Sequence, residues 1–350
     1  MTAPSTIPTK IPATVVTGFL GAGKTTLIRH LLQNAGGRRI ALIVNEFGDV
    51  GIDGDVLRAC GSEACAEDDI VELANGCICC TVADDFIPTM EKILARSPAP
   101  DCIVIETSGL ALPQPLVKAF RWPEIATRVT VDGVVTVVDG PAVRDGRFAH
   151  DEEALAAQRA ADPNVDHDDP IEELFEDQVR SADLLVLHKA DLMSEAELLR
   201  VKAEVMSHAS AGVRVVAASN GALPADVLLG LLSGVEDKID GRPTTHEMEG
   251  ETQHDHDDFD SFVADTPEAA DEAELEARVR KVLDAHDVLR LKGFVPVAGK
   301  AARLVVQAVG SRIDTYFDRP WRDGEARKGR LVVIGEKGID RSAIGAALGG

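Results

Sequence analysis

The chain has 350 residues, in which 36 lysines and arginines stand against 59 aspartates and glutamates, so the formal net charge is −23. This acidic excess argues against a nucleic-acid partner, because there is no net positive field to neutralise phosphates. No apolar run approaches the ~18 residues of a membrane-spanning helix, and the N-terminus lacks the regions of a signal peptide, so we expect a cytoplasmic protein without a membrane partner.

The first two-thirds of the chain alternate between short β-branched runs and stretches of helical length. The runs predicted as strands are Ala13–Thr17, Ile40–Asn45, Ile103–Glu106, Val134–Asp139, Leu184–His188 and Val213–Ala217. The stretches predicted as helices include Thr25–Asn34, Asp84–Arg96, Ile171–Ser181 and Glu195–Ser207. Near-continuous apolar strands separated by helices are typical of a mostly parallel sheet covered on both faces. We therefore predict an α/β domain over residues 1–233.

Residues 234–259 are predicted to be an acidic linker that contains histidines. From His246 to Asp260 there are seven acidic residues, three histidines and no lysine or arginine. Such a segment cannot bury enough apolar surface to offset the entropy lost on ordering. Its imidazoles, at His246, His254 and His256, can capture divalent metals loosely, or they are simply solvated residues of a linker.

A small α+β domain is predicted over residues 260–350. A helical stretch comes first and strand-like runs follow it. These segments are Ala273–Ala285 for the helix and Asp287–Val297, Ala302–Val309, Arg312–Phe317 and Gly329–Ile334 for the strands.

The segment Gly18–Thr25 matches the pattern G-x-x-x-x-G-K-[ST] and lies between a predicted strand and a predicted helix. Its glycines let successive N–H groups point at phosphate oxygens, and the following helix adds its positive N-terminal end. Lys24 supplies a charge at the β- and γ-phosphates, and the Thr25 hydroxyl is placed to bind Mg²⁺. The predicted nucleotide-binding residues of this P-loop are Gly18, Gly21, Ala22, Gly23, Lys24, Thr25 and Thr26.

Two acidic residues join Lys24 as candidates for the catalytic chemistry. Glu106 ends the apolar run Cys102–Glu106. Because the carboxyl ends of the strands face the nucleotide in this fold, we expect Glu106 at Mg²⁺ or at the attacking water. Asp49 follows the second predicted strand, where a switch region is expected, and is a candidate for the same positions. Either acid can instead be a helix cap or a solvated loop residue.

The segment Leu184–Asp191 ends in His-Lys-Ala-Asp, which is close to the Asn-Lys-x-Asp motif with which GTPases read the base. The Asp191 carboxylate can accept two hydrogen bonds from the N–H groups on the edge of guanine, whereas adenine offers no such pair of donors. Lys189 can lie along the face of the base. His188 stands where asparagine is usual, but an imidazole N–H can still donate one hydrogen bond. The pattern favours GTP as the nucleotide.

A cluster of three cysteines, Cys77, Cys79 and Cys80, is the most unusual feature of the sequence. Thiolates are soft donors suited to Zn²⁺, Co²⁺ or Cu⁺, and the C-x-C-C spacing lets two or three sulfurs converge in one turn. Glu46 can add an oxygen ligand to the same metal. The alternative is a set of buried apolar cysteines, which is the interpretation we adopt for Cys102.

The chain resembles the CobW-type P-loop GTPases, which are relatives of the nickel-insertion GTPases that serve urease and hydrogenase. The segments that carry the resemblance are Gly18–Thr26, Asn45–Asp49, Gly76–Cys80, Glu106–Gly109 and His188–Asp191, with Leu289–Phe294 and Arg330–Gly335 near the C-terminus. The resemblance covers essentially the whole chain, and it extends to members of the family that act in cobalamin biosynthesis. It implies a GTPase that delivers Co²⁺ to the cobaltochelatase or another metal-accepting enzyme. The sequence leaves open whether the chain forms a nucleotide-dependent dimer.

We expect bound GTP and Mg²⁺ to order the loops that carry the cysteines, and hydrolysis to release those loops and the metal. The identity of the metal does not follow from the residues, because Zn²⁺ generally outcompetes Co²⁺ for the same ligands. Two alternatives therefore stay open. One is a zinc chaperone of the same family, and the other is a metal-sensing or storage module whose hydrolysis is vestigial.

Overall fold

The structure, a computed structural model, describes residues 10–45, 70–73, 86–149, 151–161, 171–229, 259–321 and 325–349. The described residues divide into two compact units, one within Lys10–Leu229 and the other within Gly230–Gly350. Among the described residues, no helix is both long and apolar enough to cross a membrane.

The first unit is built on a parallel sheet, of which the described residues form seven strands. These strands are β1 (Ile11–Thr17), β2 (Ile40–Asn45), β3 (Ile70–Leu73), β4 (Cys102–Glu106), β5 (Val129–Asp139), β6 (Leu184–His188) and β7 (Arg214–Ala218). Their order across the sheet is β3-β2-β4-β1-β5-β6-β7, and neighbouring strands run parallel. The predicted α/β class is confirmed. Strand β3 is not predicted from the sequence, because its four residues are too few for a periodic pattern.

Helices connect these strands. They are α1 (Lys24–Gln33), followed by Ile87–Leu94, Gln114–Ala119, Pro123–Ala126, Gly140–Arg144, Glu152–Ala161, Ile171–Arg180, Glu195–His208 and Ala225–Leu229. Apolar residues spaced three or four apart pack the helices on the sheet. Met90 and Ile93 belong to one buried cluster with Ile105 of β4, and Val201 belongs to another with Leu187 of β6.

Strand pairing brings the ends of five strands to one edge of the sheet. Glu106, the last residue of β4, lies opposite Val16 of β1. Asp139 of β5 lies opposite His188 of β6, which in turn lies opposite Ala218 of β7. Because all these strands are parallel, their carboxyl ends form a single edge, where ligands bind in open α/β sheets.

The second unit contains an antiparallel sheet. Its described strands are β8 (Phe259–Thr266), β9 (Val288–Val295), β10 (Ala302–Val309), β11 (Arg312–Pro320) and β12 (Gly329–Glu336), in the spatial order β11-β10-β9-β12-β8. The helix Glu272–Ala285 contributes Leu275 and Val279 to a core that includes Leu291 and Leu304 of the sheet. A second helix, Arg341–Ala347, follows β12. This arrangement confirms the predicted α+β character.

Strand β8, at the edge of this sheet, is not predicted from the sequence. Its two acids, Asp260 and Asp265, give it a composition similar to that of the preceding acidic segment. Its pairing with β12, from Phe259 opposite Glu336 to Thr266 opposite Gly329, supplies backbone hydrogen bonds that no local pattern announces.

Candidate nucleotide-binding site

The loop between β1 and α1 contains two glycines at positions where neighbouring strands leave no room for a side chain. Gly18 has φ +138°, and a Cβ there would lie 2.2 Å from the carbonyl oxygen of Val137. Gly23 has φ +106°, and a Cβ there would lie 2.1 Å from Nδ1 of His188. Side chains at these positions would therefore clash with β5 and β6, and the loop backbone itself lies against those strands.

Helix α1 begins directly after this loop with an uncapped end. Its N-cap residue is Gly23, which has no side chain to accept a hydrogen bond from the first turn. That turn contains no acidic residue. The N–H groups of the first turn therefore carry the positive end of the helix dipole without a neutralising side chain. A phosphate group suits such an end.

The side chain of Lys24 is folded onto the loop. It is 8% exposed. Its Nζ donates hydrogen bonds of 2.8 Å to the carbonyl oxygen of Gly18 and of 3.3 Å to that of Phe19. The ammonium group is thereby held against the loop backbone, where a phosphate oxygen would be a stronger, charged acceptor.

Two predicted Mg²⁺-site residues meet beside Lys24. Oγ1 of Thr25 donates a hydrogen bond of 3.3 Å to Oε1 of Glu106. Glu106 is 3% exposed at the end of β4. A hydroxyl and a carboxylate this close provide the hard oxygen donors that Mg²⁺ prefers, so these residues fit the ion.

The loop that follows Glu106 contacts the loop between β1 and α1, which is the predicted phosphate-binding loop (residues 18–25). A Cβ at Gly109 would lie 2.8 Å from the backbone nitrogen of Leu20. Gln178, which is 1% exposed, donates hydrogen bonds of 3.0 Å to the carbonyl oxygen of Gly109 and 3.1 Å to that of Ala111. Gln178 is not predicted from the sequence, because a single glutamine on a helix matches no motif.

Residues 189–192 after β6, which we call the base loop because they contain the predicted base-reading residues Lys189 and Asp191, are anchored by an acid of β5. Lys189 adopts a left-handed conformation with φ 60°, and its Nζ lies 2.5 Å from Oδ2 of Asp139. The other oxygen of Asp139 accepts a hydrogen bond of 3.1 Å from the backbone of Ala142, which fixes the carboxylate. Asp191 lies exposed in the turn Ala190–Leu192. The sequence analysis missed Asp139, although an acid that ends an apolar strand before Gly-Pro was an available signal.

His188 connects the base loop with the phosphate-binding loop. The side chain is 4% exposed, and Nδ1 lies 3.0 Å from the carbonyl oxygen of Ala22. Burial lowers the pKa of His188 below its ordinary 6.5; the hydrogen bond to Ala22 opposes this shift, and the charge of Lys189 adds to it. The imidazole N–H expected from the sequence thus donates to the backbone of the phosphate-binding loop.

A turn after β7 lies against the first turn of helix α1. Asn220 and Gly221 both have positive φ, of 52° and 78°, and the backbone of Ala222 donates a 2.9 Å hydrogen bond to Ser219. A Cβ at Gly221 would lie 2.7 Å from the carbonyl oxygen of Thr26. The sequence analysis missed this turn, although the Asn-Gly pair after a strand indicates one.

The predicted thiolate site lies outside the part of the chain that the structure describes. Eight candidate metal-binding or catalytic residues lie outside the described residues: Glu46, Asp49, Cys77, Cys79, Cys80, His246, His254 and His256. In the part of the chain that the structure describes, no group of three or more His, Cys, Asp or Glu side chains could hold a metal ion. Cys102 is 1% exposed within β4, which confirms its interpretation as a buried apolar cysteine.

Comparison with known proteins gives matches along most of the chain. The family model described as "CobW/HypB/UreG, nucleotide-binding domain" matches residues 12–217, and the model "Cobalamin synthesis protein cobW C-terminal domain" matches residues 259–350. A Sinorhizobium protein named "Zinc chaperone CobW" is 60% identical over 341 residues, which cover 97% of this chain and 96% of that protein. A Pseudomonas aeruginosa protein of the same name is 54% identical over 339 residues, covering 96% and 90%. The Zn(II)-bound YjiA GTPase of E. coli is a similar solved structure, with 25% identity, coverage of 97% and 98%, and a TM-score of 0.41.

Proposed function

The chain belongs to the CobW/HypB/UreG family of nucleotide-binding proteins, and from this premise we propose that it is a GTP-dependent metallochaperone that hydrolyses GTP to GDP and phosphate. One observation carries the nucleotide part of the proposal. The glycine loop with Lys24, the Thr25–Glu106 pair and the base loop with Asp191 all follow strands that end at the same edge of one parallel sheet.

Each of these groups has a separate role in the proposed GTP site. Lys24 and the N–H groups of the loop bind the phosphates, while the Asp191 carboxylate accepts hydrogen bonds from guanine. Thr25 and Glu106 would hold Mg²⁺, which neutralises phosphate charge when bound. Glu106 and Asp49 remain the candidates for orienting the attacking water. Gly109 and Ala111, held by Gln178, fix the position of the chain that follows Glu106.

For the metal cargo, we propose a thiolate site made by Cys77, Cys79 and Cys80 with Glu46. Thiolates bind soft and borderline metals tightly. The nucleotide would order the loops that carry these ligands, and loss of the γ-phosphate contacts on hydrolysis would release the ion. The described contacts of Gly109 with Leu20 support such a coupling, since they join the chain after Glu106 directly to the phosphate-binding loop.

The cargo proposed first is Co²⁺, delivered to the cobaltochelatase of cobalamin biosynthesis. The description of the C-terminal family model, which names cobalamin synthesis, supports it. Zn²⁺ is the alternative cargo, and the names of the relatives from Sinorhizobium and Pseudomonas aeruginosa support that one. Zn²⁺ binds most thiolate sites more tightly than Co²⁺, so selectivity for cobalt has to come from geometry or from metal availability.

The test of this proposal is the metal affinity of the full chain in two nucleotide states. With Mg²⁺ and non-hydrolysable GTP, we expect Co²⁺ or Zn²⁺ to bind about 5- to 150-fold more tightly than with GDP, and the metal to tighten GTP binding by the same factor. Competition at buffered free Co²⁺ and Zn²⁺ then identifies the cargo. Equal metal affinity in both states would instead indicate a storage or sensing module.

Variants assign the coupling to the proposed residues. Lys24→Ala should abolish the nucleotide-dependent gain in metal affinity, whereas Lys118→Ala, at an exposed lysine of the same unit, should preserve it. Replacing Cys79 and Cys80 by serine should remove the thiolate-to-Co²⁺ charge-transfer absorption. If the band persists in that double variant, the metal is bound elsewhere.

A further inference from the structure

The two ring nitrogens of His188 have different surroundings. Nδ1 lies 3.0 Å from the carbonyl oxygen of Ala22. A carbonyl oxygen can only accept a hydrogen bond, so the hydrogen must be on Nδ1. Nε2 is buried and has no hydrogen-bond partner among the described residues.

The position of the ring is fixed by the backbone it contacts. The side chain of His188 is 4% exposed. A Cβ on Gly23 would lie 2.1 Å from Nδ1 and 2.4 Å from Cε1, so the imidazole occupies the space that any other residue at position 23 would need. The ring therefore packs directly on the phosphate-binding loop, and its hydrogen bond to Ala22 joins two loops 166 positions apart in the chain.

His188 is neutral at pH 8, because burial holds its pKa below the ordinary 6.5. Burial lowers its pKa; the hydrogen bond to Ala22 raises it, the ammonium group of Lys189 lowers it, and the carboxylates of Asp139 and Asp191 raise it, with a net lowering from 6.5. A neutral imidazole has one N–H. That single N–H is already donated to Ala22, so none is left for a second acceptor.

We propose that His188 is a positioning residue, which fastens the base loop to the phosphate-binding loop through Ala22 and offers no hydrogen-bond donor to N7 of the purine. The inference rests on the proposed function, since it assumes that a guanine nucleotide is the ligand. Guanine presents N7 and O6 as acceptors along one edge. Recognition of the base then depends on its N–H groups, which pair with the Asp191 carboxylate, and not on N7.

The experiment compares GDP with 7-deaza-GDP, in which a C–H replaces N7, as ligands of the full chain at pH 8. For the unaltered chain, we expect the two dissociation constants to agree within about twofold, because a single hydrogen bond would change them by about 2- to 13-fold. His188→Phe keeps a ring and removes the tie to Ala22. This variant should weaken the binding of GDP and of 7-deaza-GDP by the same factor, of about threefold or more.

A conservative variant and a control complete the design. His188→Asn restores an N–H donor and should recover part of the affinity lost in His188→Phe. His208→Phe removes a histidine of the same unit that pairs with Glu176 at 3.1 Å, and it should change neither constant.

Three results would overturn the inference. A preference for GDP over 7-deaza-GDP of more than about twofold in the unaltered chain, which needs no variant to fold, would mean that a donor contacts N7. Unchanged affinities in a folded His188→Phe would remove the positioning role. Failure of the unaltered chain to bind either nucleotide would overturn the proposed function together with this inference, whereas the first two results leave the proposed function standing.

Discussion

At position 188, one buried imidazole determines how two loops of the nucleotide site are joined. Its N–H donates to Ala22, and its ring fills the space left by the absent side chain of Gly23. Lys189, the next residue, is held in turn by Asp139. A small set of side-chain contacts therefore links the ends of β5 and β6 to the phosphate-binding loop.

We expect His188 to make the stability of the nucleotide-binding unit depend on pH below 6.5. The unfolded chain takes up a proton on this imidazole near pH 6.5, whereas burial lowers its pKa in the folded unit. Between these two values the unfolded state binds more protons, so the free energy of unfolding falls as the pH decreases, by at most about 1.4 kcal/mol per pH unit. Below the lowered pKa, the loss from His188 is complete.

Thermal unfolding between pH 5 and 8 measures this effect. The melting temperature of the unaltered chain should decrease more steeply below pH 6.5 than that of His188→Asn. His208→Asn is the matched control, because it replaces a histidine that pairs with Glu176 on the same unit. The expectation would be wrong if the unaltered chain and His188→Asn had parallel pH profiles.

The loop after β4 is held by contacts with three other parts of the first unit. The backbone of Thr107 donates a hydrogen bond of 2.9 Å to Val16 of β1. Gly109 lies against Leu20, and the helix Ile171–Arg180 reaches the same loop through Gln178. A strand, a loop and a helix thus fix the chain that directly follows Glu106.

Replacing Gln178 by leucine should impair hydrolysis more than nucleotide binding. The variant loses both hydrogen bonds to the carbonyl groups of Gly109 and Ala111, which should lower the free energy of unfolding by about 1–3 kcal/mol. A displaced loop should slow single-turnover GTP hydrolysis by about tenfold or more. The affinity for GDP should change less than threefold.

The control for this prediction is Gln33→Leu, at an exposed position of α1. It should leave the hydrolysis rate and the stability near those of the unaltered chain. A folded Gln178→Leu that hydrolyses GTP at the normal rate would show that the attachment has no part in positioning Glu106.

At the scale of the whole molecule, each of the two units has its own apolar core and its own buried polar contacts. In the second unit, the guanidinium of Arg303 lies 2.6 Å from the carboxylate of Asp318, with both side chains almost fully buried. Arg303 also lies 4.2 Å above the ring centroid of Phe294 and 3.4 Å from Glu325. A buried cation with this many partners depends on each of them.

We therefore expect Asp318→Asn to destabilise the second unit by about 3–5 kcal/mol, because it leaves the charge of Arg303 poorly compensated. Calorimetry should show a lower melting transition for this unit. The affinity for GDP should stay within twofold, since the described contacts of the nucleotide site all belong to Lys10–Leu229.

Asp265→Asn is the comparison variant, because Asp265 pairs with Lys328 on the surface, where both side chains are more than half exposed. It should cost about 1 kcal/mol or less. Equal effects of the two substitutions on the melting transition would contradict the importance of the buried pair.

The amino-acid sequence by itself determined the features that depend on neighbouring residues. The spacing of glycines with Lys24 predicts the phosphate-binding loop, and the alternation of apolar runs with helical stretches predicts the parallel sheet. The position of Glu106 at the end of β4 makes it a candidate for the Mg²⁺ site, because strand ends meet at one edge in this class of fold. These signals are local, so they can be read without knowing which segments pack together.

Only the tertiary structure decided which side chains hold these local features in place. Gln178 reaches Gly109 across 69 positions, and His188 reaches Ala22 across 166 positions. These partners depend on the order of the strands in the sheet and on the exclusion of water from the space between them. A hydrogen bond between distant residues has no periodicity or spacing, and for this reason the sequence shows a donor but not its acceptor.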